Sequence, residues 1–116
     1  MNKEDLRMLR FDEDTKTINI IAKDTGDFIV DVINYLLDEG DVLYFTVNDE
    51  LEKPNPLIQK MITSFTDNKA LVRLNTTDTD LPVGSYYYDV EVHTPDGRVD
   101  TIMGPHKFKV LGGVKY

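Results

Sequence analysis

Residues 85–94, SYYYDVEVHT, alternate without a break. Tyr86, Tyr88, Val90 and Val92 fall on one side, and Tyr87, Asp89, Glu91 and His93 on the other. A period of two is the signature of a strand, whose side chains leave opposite faces of a sheet. An amphipathic helix would repeat its apolar positions every three or four residues. The same period returns along the chain, each time bounded by turn residues. In GDVLYFTVND, residues 40–49, Leu43, Phe45 and Val47 share one face and Tyr44, Thr46 and Asn48 the other. In GDFIVDVI, residues 26–33, Phe28, Val30 and Val32 oppose Asp27 and Asp31.

Shorter runs complete the pattern. TINII (17–21) and ALVRLN (70–75) read as strands, and LIQKMITSF (57–65) as a strand of mixed alternation with no clear buried face. RVDTIM (98–103) and KFKVL (107–111) read as two closing strands. ELEKPNPL (50–57) reads as a loop, because its two prolines cannot continue a central strand. TDNK (66–69) reads as a turn, and Pro95–Asp96–Gly97 as a tight hairpin turn in which proline presets its dihedral and glycine accepts positive φ. One helical candidate exists, VINYLLDEG (32–40), where Val32, Ile33, Leu36 and Leu37 share a helical face and Gly40 ends it. A strand end followed by a loop fits those residues equally well. Seven to eight short strands between turns predict an all-β chain, an antiparallel sandwich or barrel.

Three consecutive tyrosines raise the choice between a ligand surface and a structural role. In immunoglobulin-like sandwiches a tyrosine near the start of the penultimate strand bonds through its hydroxyl to backbone a few residues upstream. DLPVGSY supplies the parts of such a corner. Leu81 caps the core, Pro82 and Gly84 make the turn, and Tyr86 begins the strand. Tyr86 and Tyr88 are expected in the core. Tyr87 points the other way and is the one left for contact.

The chain has 116 residues, which fits one domain with a modest core. We expect an arm or extra edge strand over residues 1–16 and an Ig-like domain over residues 17–116. Acidic residues outnumber basic ones 21 to 13, for a net charge of −8, which argues against nucleic acid as a partner. KFKVLGGVKY is the one lysine cluster, and it is small. No apolar run approaches the ~18 residues of a spanning helix, so no membrane partner is expected. The charged start MNKEDLRMLRFDEDT has no apolar core of a signal peptide, which predicts cytosolic synthesis. With no cysteine there is neither a disulfide framework nor thiolate chemistry.

Chemistry is sparse. The two serines, Ser64 and Ser85, and the two histidines, His93 and His106, sit in no nucleophile turn, so no catalytic residue is expected. No phosphate- or dinucleotide-binding glycine pattern occurs, and no cofactor is expected. Three acidic clusters bear on calcium: Asp12, Glu13 and Asp14; Asp24 and Asp27; Asp78 and Asp80. None matches the calcium-loop pattern, and aspartates in turns bond their own backbone, so no metal is expected. Asn75–Thr77 matches the glycosylation acceptor, without weight in a chain lacking a secretory signal. Chance pairs of carboxylates are expected on so acidic a surface.

The order of motifs carries a resemblance. INIIAKDTGDFIVDV, EGDVLYFTV, DTDLPVGSYYYDVEVHTPDGRVDTIM and HKFKVL, over residues 17–110, resemble small Ig-like structural proteins from the tail or baseplate region of phages and prophages of Gram-positive bacteria. They are similar to the N-terminal domain of upper baseplate proteins. KDTGDF departs from that family's opening, in which glycine directly precedes Asp-Thr. The shared motifs are turns and core positions, so the resemblance carries over no active site. It implies a non-enzymatic virion component, made in the bacterial cytoplasm, whose partners are other tail or baseplate proteins, with copies of itself as a further candidate. The N-terminal arm and the GGVKY tail are the docking segments this implies.

Two other readings follow from the residues. A module binding host-surface polysaccharide would group exposed aromatics and polar side chains on one face, with Tyr35, Tyr44 and Tyr87 as the candidates. A small enzyme would need a concave site with perturbed titratable groups, for which the sequence offers no constellation.

Overall fold

In a computed structural model of the chain, the structure describes residues 9–113. Among the described residues there is no helix. The strands are β1 (Arg10–Phe11), β2 (Ile18–Ile21), β3 (Gly26–Asp31), β4 (Val42–Asn48), β5 (Ile58–Ile62), β6 (Lys69–Leu74), β7 (Gly84–His93) and β8 (Val99–Leu111). They form a six-stranded sheet in the order β1-β2-β8-β7-β4-β5 and a two-stranded sheet of β3 and β6. The fold is all-β and compatible with a β-sandwich.

The core is built from the period-two faces. Leu43, Phe45 and Val47 of β4 and Tyr88, Val90 and Val92 of β7 are almost wholly buried, with Tyr86 close behind. Phe28, Val30 and Val32 cover them from the small sheet, joined by Ala70, Val72 and Leu74 of β6. Ring contacts tie the two sheets together. Phe28 lies 6.3 Å from Phe45, 6.2 Å from Tyr88 and 5.1 Å from Phe11, in the tilted and edge-on arrangements that aromatic quadrupoles favour.

The structure corrects three expectations and decides between the two readings of a further segment. First, residues 98–103 and 107–111 are not two strands. They belong to one long β8, whose pairing with β7 shifts register between Tyr88 and Val90 and again between Val90 and Glu91. Gly104, at φ 93°, sits in this irregular stretch. Second, the sheet is not wholly antiparallel, since β2 runs parallel to β8, with Ile18 opposite Phe108 and Ile20 opposite Val110. Local periodicity holds no information about the direction of a partner so distant in sequence. Third, of its two readings VINYLLDEG takes the strand end and loop, not the helix. Asn68 holds it open instead. Its Nδ2 donates to the carbonyls of Val32 (2.6 Å) and Tyr35 (2.7 Å), while its Oδ1 accepts from the Leu37 amide (2.7 Å). Ile33 and Leu36 stay 83% and 80% exposed while Val32 is buried and Leu37 packs against the core, so the four apolar residues do not share one face. Fourth, LIQKMITSF contributes only the five residues of β5. Ile58 faces the core, and Lys60 on the same face reaches Asp78 at 2.7 Å, which explains its mixed pattern.

Turn chemistry accounts for the joints. Asp67 and Asn68 both have positive φ (53° and 60°), and Thr66 and Lys69 exchange backbone hydrogen bonds, which is the primed hairpin geometry that Asp and Asn tolerate. Gly97 sits at φ 94° in the Pro95–Gly97 turn, closed by the Gly97 amide on the Thr94 carbonyl. At the corner the Tyr86 hydroxyl donates to the Pro82 carbonyl at 2.5 Å, and Leu81 packs against the core. Gly84 is the first residue of β7 rather than a turn residue. A Cβ there meets nothing closer than 4.0 Å.

Of the expected 1–16 arm, residues 10–11 form β1, while residues 1–8 lie outside the described residues, as does the 114–116 end of the expected docking tail.

Candidate functional site

The most distinctive surface follows from the small sheet. A strand in an antiparallel pair turns the N–H and C=O of alternate residues toward its partner and those of the others away. The Val32 amide donates to the Asn68 carbonyl at 3.1 Å, on the β6 side. The β3–β6 register is regular from Gly26 to Asp31. So Phe28, Val30 and Val32 turn their backbone groups toward β6, and Ile29 and Asp31 turn theirs to the opposite edge. Among the described residues no strand pairs with that edge.

A groove of about 530 Å³ runs beside it. Phe28 to Asn34 form one wall, Phe11, Glu13 and Lys16 close one side, and Ile102, Met103, Gly104 and His106 of β8 lie across from β3. The irregular pairing of β8 at Gly104 belongs to this wall. A Cβ on Gly104 would stand 2.7 Å from the Tyr88 carbonyl oxygen and 3.1 Å from Asp89 Cα, so no other residue fits. Ile29 (61% exposed) and Ile33 border the groove. Sequence reasoning missed both. The signal was Ile29 itself, an apolar residue on the face that also carries Asp27 and Asp31.

The three tyrosines expected as surface contacts do not converge. Tyr35 is half-buried in the 32–41 loop and donates to Asp41 Oδ2 at 3.2 Å; burial, then the Asp41 charge, raise its pKa. Asp41 is buried and also accepts the Asp38 amide at 2.9 Å, which gives the Gly40–Asp41 pair its role: a turn locked by its own carboxylate. Tyr44 and Tyr87 share the outer face of the large sheet. Tyr44 sits opposite Glu91, while Tyr87 sits opposite Asn48, so about 13 Å of strand separates them. Each ring has a neighbour. His93 lies 4.6 Å from Tyr44, and Lys107 Nζ lies 4.2 Å above Tyr87 and 3.2 Å from its hydroxyl.

A second hollow of about 260 Å³ lies beside Tyr87, bounded by Asp89, Glu91 and the 50–56 loop. Burial, then the Glu91 charge, raise the Asp89 carboxyl above its usual range. His93 Nε2 lies 3.1 Å from Glu91 Oε1, and His106 faces the groove with its ring 5.8 Å from Tyr88. Ser85 is on the outer face of β7, eight residues along the strand from His93, about 27 Å.

The acidic clusters serve the loops. Asp12 Oδ1 accepts the amides of Asp14 and Thr15; Asp27 pairs with Arg73 at 3.9 Å; Asp78 holds Lys60 and the Asn75 amide. Among the described residues no three His, Asp or Glu side chains gather around a common point fit for a metal. Thr79, which sequence reasoning passed over, is fully buried and donates to the Asp24 carbonyl at 2.7 Å, pinning the β2–β3 turn to the β6–β7 loop. No protein-family model, no curated protein and no solved structure matches the chain.

Proposed function

We propose that this chain is a non-enzymatic assembly module, an Ig-like sandwich that joins other proteins of a phage tail or baseplate. The observation that carries the reading is the edge of β3, which no strand pairs among the described residues, beside a groove lined in part by Phe11, Phe28, Ile102 and Met103. An edge strand with an exposed apolar side chain is a template for another chain, and folds that do not use such an edge blunt it with charges, proline or a bulge. β3 exposes Ile29 and has no proline, lysine or bulge, and its charges are the two aspartates Asp27 and Asp31. The phage context rests on the sequence resemblance over residues 17–110, and the Tyr86–Pro82 corner supports the Ig-like assignment. On this reading the protein is made in the bacterial cytoplasm and works in the virion, through surface complementarity with its neighbours.

The polysaccharide reading has less behind it. Its three tyrosines lie in two regions, and the Tyr87 ring is already covered by Lys107.

The test is to induce the source strain, purify tailed particles on a density gradient and look for the chain by mass spectrometry. Stoichiometric copurification is expected. Absence from particles that carry their other tail proteins overturns the reading.

A further inference from the structure

We infer that the edge of β3 left without a strand among the described residues is a strand-docking site, and that it takes an extended segment of a partner protein whose outward side chains are basic and whose inward side chains are small and apolar. The inference rests on the assembly reading and names the site and the chemistry of the partner.

Three features of the edge define the occupant. The first is hydrogen bonding. Ile29 and Asp31 point their N–H and C=O groups away from β6, a ladder that an added strand completes through main-chain bonds alone. The second is depth. The inward residues of an added strand lie over the groove beside Phe28, Met103 and His106, where β-branched aliphatics fit and bury apolar area. The third is the outward row. In β3 that row is Asp27, Ile29 and Asp31, acidic, apolar, acidic, with Lys69 opposite Asp31 and Arg73 opposite Asp27 on the β6 side. On the open side a lysine opposite Asp31 meets a carboxylate, and a lysine beside Ile29 lays its aliphatic stem along it while its ammonium group stays in water.

A second copy of this chain fits the edge less well. Two β3 strands paired antiparallel about Ile29 set Asp27 of each opposite Asp31 of the other, and the chain's charge of −8 adds repulsion.

The experiment uses the full chain and two capped hexapeptides, Lys-Val-Lys-Val-Lys-Val and Glu-Val-Glu-Val-Glu-Val, followed by amide NMR and titration calorimetry. The basic peptide is expected to bind, to slow exchange of the Ile29 and Asp31 amides, and to bind at least tenfold tighter than the acidic one. Ile29→Pro removes an edge donor that β6 does not use, so it is expected to leave the thermal midpoint nearly unchanged and to abolish binding. Asp31→Lys, a surface change that needs no refolded backbone, is expected to reverse the preference between the peptides. No binding of the basic peptide at millimolar concentration, equal binding of both peptides, or binding that survives both substitutions overturns the inference. Because the assay needs no particle, its failure leaves the assembly reading to the copurification experiment, and failure of copurification leaves the edge chemistry to this one.

Discussion

The hydroxyl of Tyr88 donates to the backbone carbonyl of Lys16 at 2.5 Å, bridging 72 residues of sequence. Lys16 stands at φ 61° in the β1–β2 turn. One phenol at the centre of β7 therefore fixes the turn that closes one side of the groove. Tyr88→Phe keeps the ring contacts and removes that bond. The expected loss is about 1 kcal/mol, read as a drop of about 4 °C in the thermal midpoint. Tyr87→Phe on the outer face is the control, with an expected change within about 0.5 kcal/mol.

Burial drives the Tyr88 pKa far above its ordinary value and raises Tyr86 in the same direction. A folded-state pKa above the unfolded one means that the folded chain holds the proton more tightly. The stabilisation is complete below the unfolded tyrosine pKa, about 10, and is lost as pH rises through and beyond it. Urea unfolding between pH 8 and pH 11.5 is expected to show constant stability up to about pH 9.5 and a steady fall above it. The fall should be shallower in Tyr88→Phe.

Gly104 and Gly97 have nearly the same dihedral, 93° and 94°, but different surroundings. A Cβ on Gly97 meets nothing within 4 Å, whereas on Gly104 it strikes the Tyr88 carbonyl. Gly97→Ala is expected to cost about 1–2 kcal/mol for the left-handed backbone alone. Gly104→Ala adds a clash with backbone that cannot swing aside, and should cost about 3 kcal/mol or more. Equal midpoints for the two variants in chemical denaturation would contradict the packing described at the groove wall.

Asn68 makes three side-chain hydrogen bonds to the 32–37 segment. Asn68→Asp turns two donors into a carboxylate facing two carbonyl oxygens. It is expected to cost about 2–3 kcal/mol and to speed exchange of the Leu37 amide. An unchanged Leu37 exchange rate would mean that the segment is held by something else.

The strands most legible in the sequence were those with one buried face. β4 and β7 alternate because each has a core side and a solvent side, and the Tyr86 corner was readable because its bond spans only four residues. β8 reads as two strands because Gly104–Pro105 carries a local break signal, while β7 pairs with it on both sides of that break. The 32–40 segment carried a helical pattern, but what decides its path is an amide more than 30 residues away. The candidate site was legible only in its odd residue, Ile29. That β3 has an open edge depends on which strands join which sheet, and that is settled by pairings distant in sequence.

On the proposed reading, the chain works by lending the β3 edge to a neighbour. The most direct measurement is hydrogen exchange at Ile29 and Asp31 in the free chain and in gradient-purified particles. Fast exchange is expected at both amides in the free chain and strong protection in the particle, with Val30, already bonded to β6, slow in both. Equal exchange at Ile29 and Asp31 in the two states would contradict it.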